Sequence, residues 1–211
     1  MKKEKRVKYQ DGIVIGNIED KSNVKNPIAK ILVQRFDDVL FDFIENTYPK
    51  SVHEIGCGEG RITHELAQHY EIPIRASDFS QVMINELQTK NLTNVTAVKK
   101  NIYNLDKFED RADLILCCEV LEHLEEPKKA MAALKELSGR CYIFSVPREP
   151  IWRILNMLRG KYLSNVGNTP GHLNHWSKKA FLEFLRDHDF RVVHVACPLP
   201  WIVVMGRFNA V

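Results

Sequence analysis

The 211-residue chain has no run approaching the roughly 20 apolar residues that a membrane-spanning helix needs, so the sequence predicts a soluble protein. It also lacks a dominant charge. Lysine and arginine number 30 against 27 aspartates and glutamates, a formal charge of +3, which gives no electrostatic footprint for a polyanion partner such as nucleic acid. No Cys-x-x-Cys spacing occurs. The five cysteines, Cys57, Cys117, Cys118, Cys141 and Cys197, sit mostly in apolar runs and read as reduced core residues, which predicts a cytoplasmic protein. The opening "MKKEKRVK" has no apolar stretch behind it, so it reads as a solvated tail rather than a signal peptide or anchor. Internal repeats and low-complexity segments are also lacking.

What is present is an alternation of short β-branched runs with helical patterns. Strands are expected near 51–55, 73–77, 95–99, 113–118, 140–146, 190–196 and 201–205, and helices near 60–70, 80–89, 127–138 and 177–187. This pattern predicts an α/β fold, a mostly parallel seven-stranded sheet covered by helices on both faces. The length suits a single domain over 1–211. Its expected parts are a lead-in (1–25), an N-terminal amphipathic helix (26–48), a cofactor-binding core (51–146), an insertion (147–176), and a last helix with two strands (177–211). The insertion follows the fifth strand, where such folds keep substrate contacts.

The stretch "HEIGCGEGR" at 53–61 puts Gly56, Gly58 and Gly60 between a strand and a helix, where glycine lets a ligand approach the backbone. A dinucleotide fingerprint would need glycine at 61, and the chain has Arg61, which disfavours a nicotinamide oxidoreductase. No Gly-Lys-Ser or Gly-Lys-Thr follows, so a P-loop is excluded. Asp78 closes the second strand 22 residues after Gly56, and a carboxylate there can accept from both hydroxyls of a ribose.

The glycine run with its distant aspartate resembles the class I S-adenosylmethionine-dependent methyltransferases. The resemblance covers about Asn26 to Arg207. It implies a Rossmann-like sheet in the order 3-2-1-4-5-7-6 with the seventh strand antiparallel. "HEIGCGEG" looks like the family's first motif, with Glu54, Gly56, Cys57 and Gly58 at the methionine end of the cofactor. Asp78 and Phe79 match ribose and adenine contacts. Asn101, where the family often has aspartate, and Ile102 match the adenine edge. "ADLILCCEVLEHLEEP" looks like the fourth strand and the following helix of the type-11 branch, with Cys118 and Glu119 near the sulfonium. The implied cofactor is S-adenosyl-L-methionine, with S-adenosyl-L-homocysteine as product.

Transfer from a sulfonium is a direct displacement that needs alignment, and a base matters only when the acceptor must lose a proton. His123, His172 and His175 are the candidate catalytic residues. If "EVLEH" is helical, Glu119, Glu122 and His123 share a face, and with His175 or His172 they could hold a divalent cation. The metal-free reading makes His123 a base or orienting group, and it is the reading favoured here. The same letters resemble metal-dependent O-methyltransferases of ubiquinone biosynthesis and small-RNA 3′-end methyltransferases.

"REPIWRILNMLRGKYL" over 148–163 reads as a basic amphipathic helix, with lid, packed helix and membrane-surface contact as open alternatives. The expected activity is methyl transfer to a small-molecule acceptor, partly apolar, at an oxygen, nitrogen or carbon. A metal-assisted RNA 2′-O-methyltransferase and a non-catalytic cofactor-binding partner subunit are the alternatives.

Overall fold

The computed structural model describes residues 8–10, 13–15 and 26–209. The tail expected over 1–25 lies mostly outside the described residues. Within it, Lys8–Gln10 (β1) and Ile13–Ile15 (β2) pair as an antiparallel ladder.

Helix α1 (Pro27–Glu45) starts at Asn26, whose Oδ1 accepts from the Ile28 amide at 2.9 Å, a cap typically worth about 1 kcal/mol. Pro27 takes a first-turn position where its missing N–H costs nothing. Phe36, Leu40, Phe43 and Ile44 form the buried stripe, while Ile28 and Ile31 stay exposed.

Seven strands then build one sheet: β3 (Val52–Ile55), β4 (Ile74–Asp78), β5 (Val95–Lys99), β6 (Leu114–Cys118), β7 (Cys141–Pro147), β8 (Phe190–Ala196) and β9 (Trp201–Phe208). Their spatial order is β5-β4-β3-β6-β7-β9-β8. Counted within the sheet this is the expected 3-2-1-4-5-7-6, with β9 antiparallel to β7 and β8 and the other pairs parallel. Helices α2 (Arg61–His69), α3 (Gln81–Gln88), α4 (Pro127–Glu136), α5 (Ile151–Leu158) and α6 (Lys178–Arg186) connect them.

The central strand β6 carries the logic of the two covered faces. Leu114, Leu116 and Cys118 join the core under α1 and α2, whereas Ile115 and Cys117 join the core under α4 and α6. Side chains alternate along a strand, so a strand covered on both sides is apolar at every position. Adjacent Cys117 and Cys118 therefore face opposite ways. All five cysteines are free, and burial raises the thiols of Cys57, Cys117 and Cys118, as expected of inert core residues.

Because α2 leaves β3 on one face and α4 follows β6 on the other, the connections diverge between these parallel neighbours. A crevice opens at their carboxyl ends, the switch point at which such sheets bind ligands. The insertion between β7 and α6 stands at the same end. Its helix α5 is shorter than the 148–163 helix expected, since Gly160 and Tyr162 take left-handed conformations at φ 67 and 53. An irregular segment follows, closed at its base by the Glu149 amide donating to the Trp176 carbonyl at 2.9 Å. No helix among the described residues is long and apolar enough to cross a membrane.

Candidate active site

The cleft is built first from the loop after β3. Gly56 and Gly58 have φ of 78 and 55, which ordinary side chains rarely adopt. A Cβ on Gly56 would lie 2.3 Å from Val120 Cγ2, so that glycine is required by packing as well. A Cβ on Gly58 would meet nothing within 4 Å, because the space above it is the open cleft. The amides of Gly56 and Cys57 donate to the Ser77 carbonyl at 2.7 and 3.0 Å, which ties the loop to β4.

Asp78 completes this cradle. Its Oδ2 accepts from the Gly58 amide at 2.9 Å and its Oδ1 from the Ser80 amide at 2.8 Å. Burial raises its pKa while these two amides oppose the rise. Each oxygen retains a lone pair, which suits a pair of vicinal hydroxyls. Phe79 and Ile102 line the same cleft, as does Asn101. The Asn101 Oδ1 accepts from the Tyr103 amide at 2.9 Å, so its amide NH2 is the group it can offer, as a donor to a ring nitrogen of a base.

At the other end of the loop Glu54 is buried at 3% exposure and accepts from the Thr63 hydroxyl. Burial pushes its carboxyl up to about 7, with the Thr63 hydrogen bond and the Arg61 charge opposing the rise. A ligand ammonium would favour the ionised form. Arg61, notable in the sequence only as a missing glycine, pairs with Asp37 of α1 at 2.8 Å and so holds that helix beside the cleft. Val33 and Phe36 of α1 line the wall it forms.

The segment "EVLEH" is not the helix that the metal alternative required. Glu119 has φ 58, and only Leu121–His123 form a 3-10 turn, so Glu119, Glu122 and His123 do not share one α-helical face. Glu119 lines the cleft with Cys118. Its Oε1 accepts from the Ser145 hydroxyl at 3.2 Å and its Oε2 from the Trp201 indole at 2.7 Å. The alternative metal set Glu119, Glu122, His123 and His175 is not what the structure gathers. Glu122, His123 and His172 are the residues brought together, with one ligand atom each all within 4.8 Å of one another.

His175 stands elsewhere. It is exposed, and its Nε2 meets the Asn168 side chain at 2.8 Å. His172 is buried and packs edge-on to His123, with ring centroids 4.8 Å apart. The carbonyl of Gly171 lies 2.9 Å from His123 Nδ1 and can only accept, so that nitrogen carries a proton and Nε2 bears the lone pair of the neutral ring. Nε2 also lies 3.9 Å from Glu122 Oε1, which would stabilise the ring once protonated. His123 lines the cleft, so the arrangement can take a proton from a bound group or hold a cation through one carboxylate and two imidazoles.

Sequence reasoning missed Trp201 and Trp152. The Trp201 ring is tilted against Phe36 at 5.1 Å and packs edge-on to Trp152 at 5.9 Å, and Trp152 lies 5.7 Å from His172. The Trp201 contact with Glu119 crosses 82 residues, so no local spacing signalled it.

A family model described as "Methyltransferase domain" matches residues 29–195. Ubiquinone biosynthesis O-methyltransferase from Coxiella burnetii (strain RSA 493 / Nine Mile phase I) is 27% identical over 181 residues, covering 76% of each chain. Magnesium protoporphyrin IX methyltransferase from Synechocystis PCC 6803, solved with bound SAH, superposes with a TM-score of 0.66 at 20% identity, covering 89% of this chain and 90% of that one. A SAM-dependent methyltransferase from Aquifex aeolicus gives a TM-score of 0.67 at 20% identity over 89% and 98% of the two chains. At such identities the superpositions establish the shared fold.

Proposed function

Since the chain belongs to the methyltransferase-domain family and is an S-adenosylmethionine-dependent methyltransferase, we propose that it methylates a hydroxyl of a small, partly apolar acceptor held between His123 and the 147–176 insertion. The observation that carries this reading is the His123 ring, fixed by Gly171 so that its lone-pair nitrogen is Nε2, on the wall of the cleft. A base is needed when the accepting atom must shed a proton, as a hydroxyl does. Glu54 and the glycine loop would take the methionine end of the donor, Asp78 the ribose, and Phe79, Asn101 and Ile102 the adenine. In-line alignment would then supply most of the acceleration. Leu158, Leu163 and Val166 of the insertion are exposed beside Arg159 and Lys161, which suits an acceptor with an apolar tail or a lipid surface that presents one. The named curated relative, a ubiquinone biosynthesis O-methyltransferase, agrees with this class of acceptor.

The cluster of Glu122, His123 and His172 favours a second reading, in which these three hold a divalent cation that acidifies the hydroxyl. The two readings separate in one assay. Transfer of labelled methyl groups is measured with phenolic and lipid-like alcohols and with RNA, each with added magnesium or with a chelator. Turnover of a small alcohol in chelator supports the base, turnover only with metal supports the cation, and labelling of RNA alone would overturn the proposed acceptor.

A further inference from the structure

Resting on the reading that the cleft holds S-adenosylmethionine, we propose that Trp201 is a positioning residue for the donor's charge. Its indole N–H holds the Glu119 carboxylate at the sulfonium end of the cleft, and its ring links that carboxylate to the acceptor-side insertion.

Glu119 sits just past β6 with φ 58, a conformation that non-glycine side chains avoid unless the surroundings impose it. Two neighbouring strands do so. From β7, Ser145 accepts from the Glu119 amide at 3.0 Å and donates its hydroxyl to Oε1 at 3.2 Å. From β9, the Trp201 Nε1 donates to Oε2 at 2.7 Å, a short bond of the charge-assisted kind. An indole N–H can only donate, so it fixes the direction in which the carboxylate oxygen faces. Trp201 is 5% exposed, and its ring is wedged between Phe36 of α1 and Trp152 of α5. A phenylalanine could fill much of that space, but only the indole reaches the carboxylate. Glu119 and Trp201 both line the cleft.

The chemical consequence concerns the difference between donor and product. S-adenosylmethionine carries a positive sulfonium, whereas S-adenosylhomocysteine carries a neutral thioether at the same place. A carboxylate held there favours donor over product and eases product exchange, without itself accelerating transfer. The edge-on contact with Trp152 makes this preference sensitive to whatever settles under the insertion.

Titration calorimetry with each ligand separately tests this. Trp201→Phe is expected to weaken S-adenosylmethionine about tenfold, as loss of a charge-assisted hydrogen bond predicts, while S-adenosylhomocysteine changes less than about twofold. Trp201→His, which returns a ring N–H, is expected to recover part of the loss. Glu119→Gln should reproduce the selective loss, and adding Trp201→Phe to it should cost little more. Parallel loss of both ligands in Trp201→Phe would indicate a merely structural ring and overturn the proposal. An unchanged ratio in Glu119→Gln would overturn it too, and this decides the matter even if Trp201→Phe fails to fold. If the wild-type protein bound neither ligand, the underlying reading of the cleft would fall first.

Discussion

The two ends of the cleft are built by different means. At the donor end, neighbours in the first βαβ unit hold one another: Gly58 reaches Asp78 across 20 residues and Thr63 reaches Glu54 across 9. At the end proposed for the acceptor the decisive contact runs from His123 to Gly171 across 48 residues, and between the two ends Glu119 reaches Trp201 across 82. A locally wired end can be set by a short motif. A remotely wired end depends on how an insertion and a late strand come back to it, and so can change its acceptor while its donor stays the same.

Four experiments would break or sharpen this contrast. The largest effect is expected from His123→Ala, which should lower kcat by about 10²- to 10⁴-fold and leave S-adenosylmethionine affinity within about threefold, read by steady-state kinetics with calorimetry. Equal damage to both would mean that the two ends are not separable. Asp78→Ala should act the opposite way, weakening the donor about a hundredfold through lost ribose contacts and a loosened Gly58 loop, with the same measurements.

The next effect is a pH dependence. Burial raises the Glu54 carboxyl from 4.5 to about 7, so between those values the folded protein keeps a proton that the unfolded chain has lost. Stability from this group is thus full at low pH and is lost as pH rises through about 7. Thermal or denaturant unfolding of wild type against Glu54→Gln should show the difference drifting by on the order of 2–3 kcal/mol across that window. Donor affinity should climb over the same range in the wild type alone, because the ligand's ammonium favours the ionised form. The smallest effect is a pair. His172→Ala should lower activity at least about tenfold, whereas His175→Ala should change it less than about twofold, since the His175 ring is exposed and bonds the Asn168 side chain away from His123.

That last pair also marks the limit of what was legible in the residues. The strand and helix alternation, the sheet order implied by the family resemblance, and the gathering of Gly58 and Asp78 in one cleft all appear as expected, because each is carried by periodicity or by a short motif. The role of "EVLEH" was not legible. Its i, i+3 and i+4 spacing joins the three side chains on one face only if the segment is helical, and the contacts of Ser145 and Trp201 hold Glu119 in a left-handed turn that no local propensity encodes. His172 and His175 are equally plausible by spacing. The choice is made by the loop's anchorage: the Leu173 and Asn174 amides donate to the Glu122 carbonyl at 2.8 and 3.0 Å, and the Asn174 side chain donates to the carbonyls of Leu121 and Leu124 at 3.1 and 2.6 Å.

The double use proposed for Asp78 would have a kinetic consequence. Its carboxylate gathers the Gly58 and Ser80 amides through bonds within the protein, so a nucleoside bound as proposed would meet a loop already held. Little chain entropy remains to be lost on binding, and donor capture should proceed in one concentration-dependent step without a slow rearrangement of the loop.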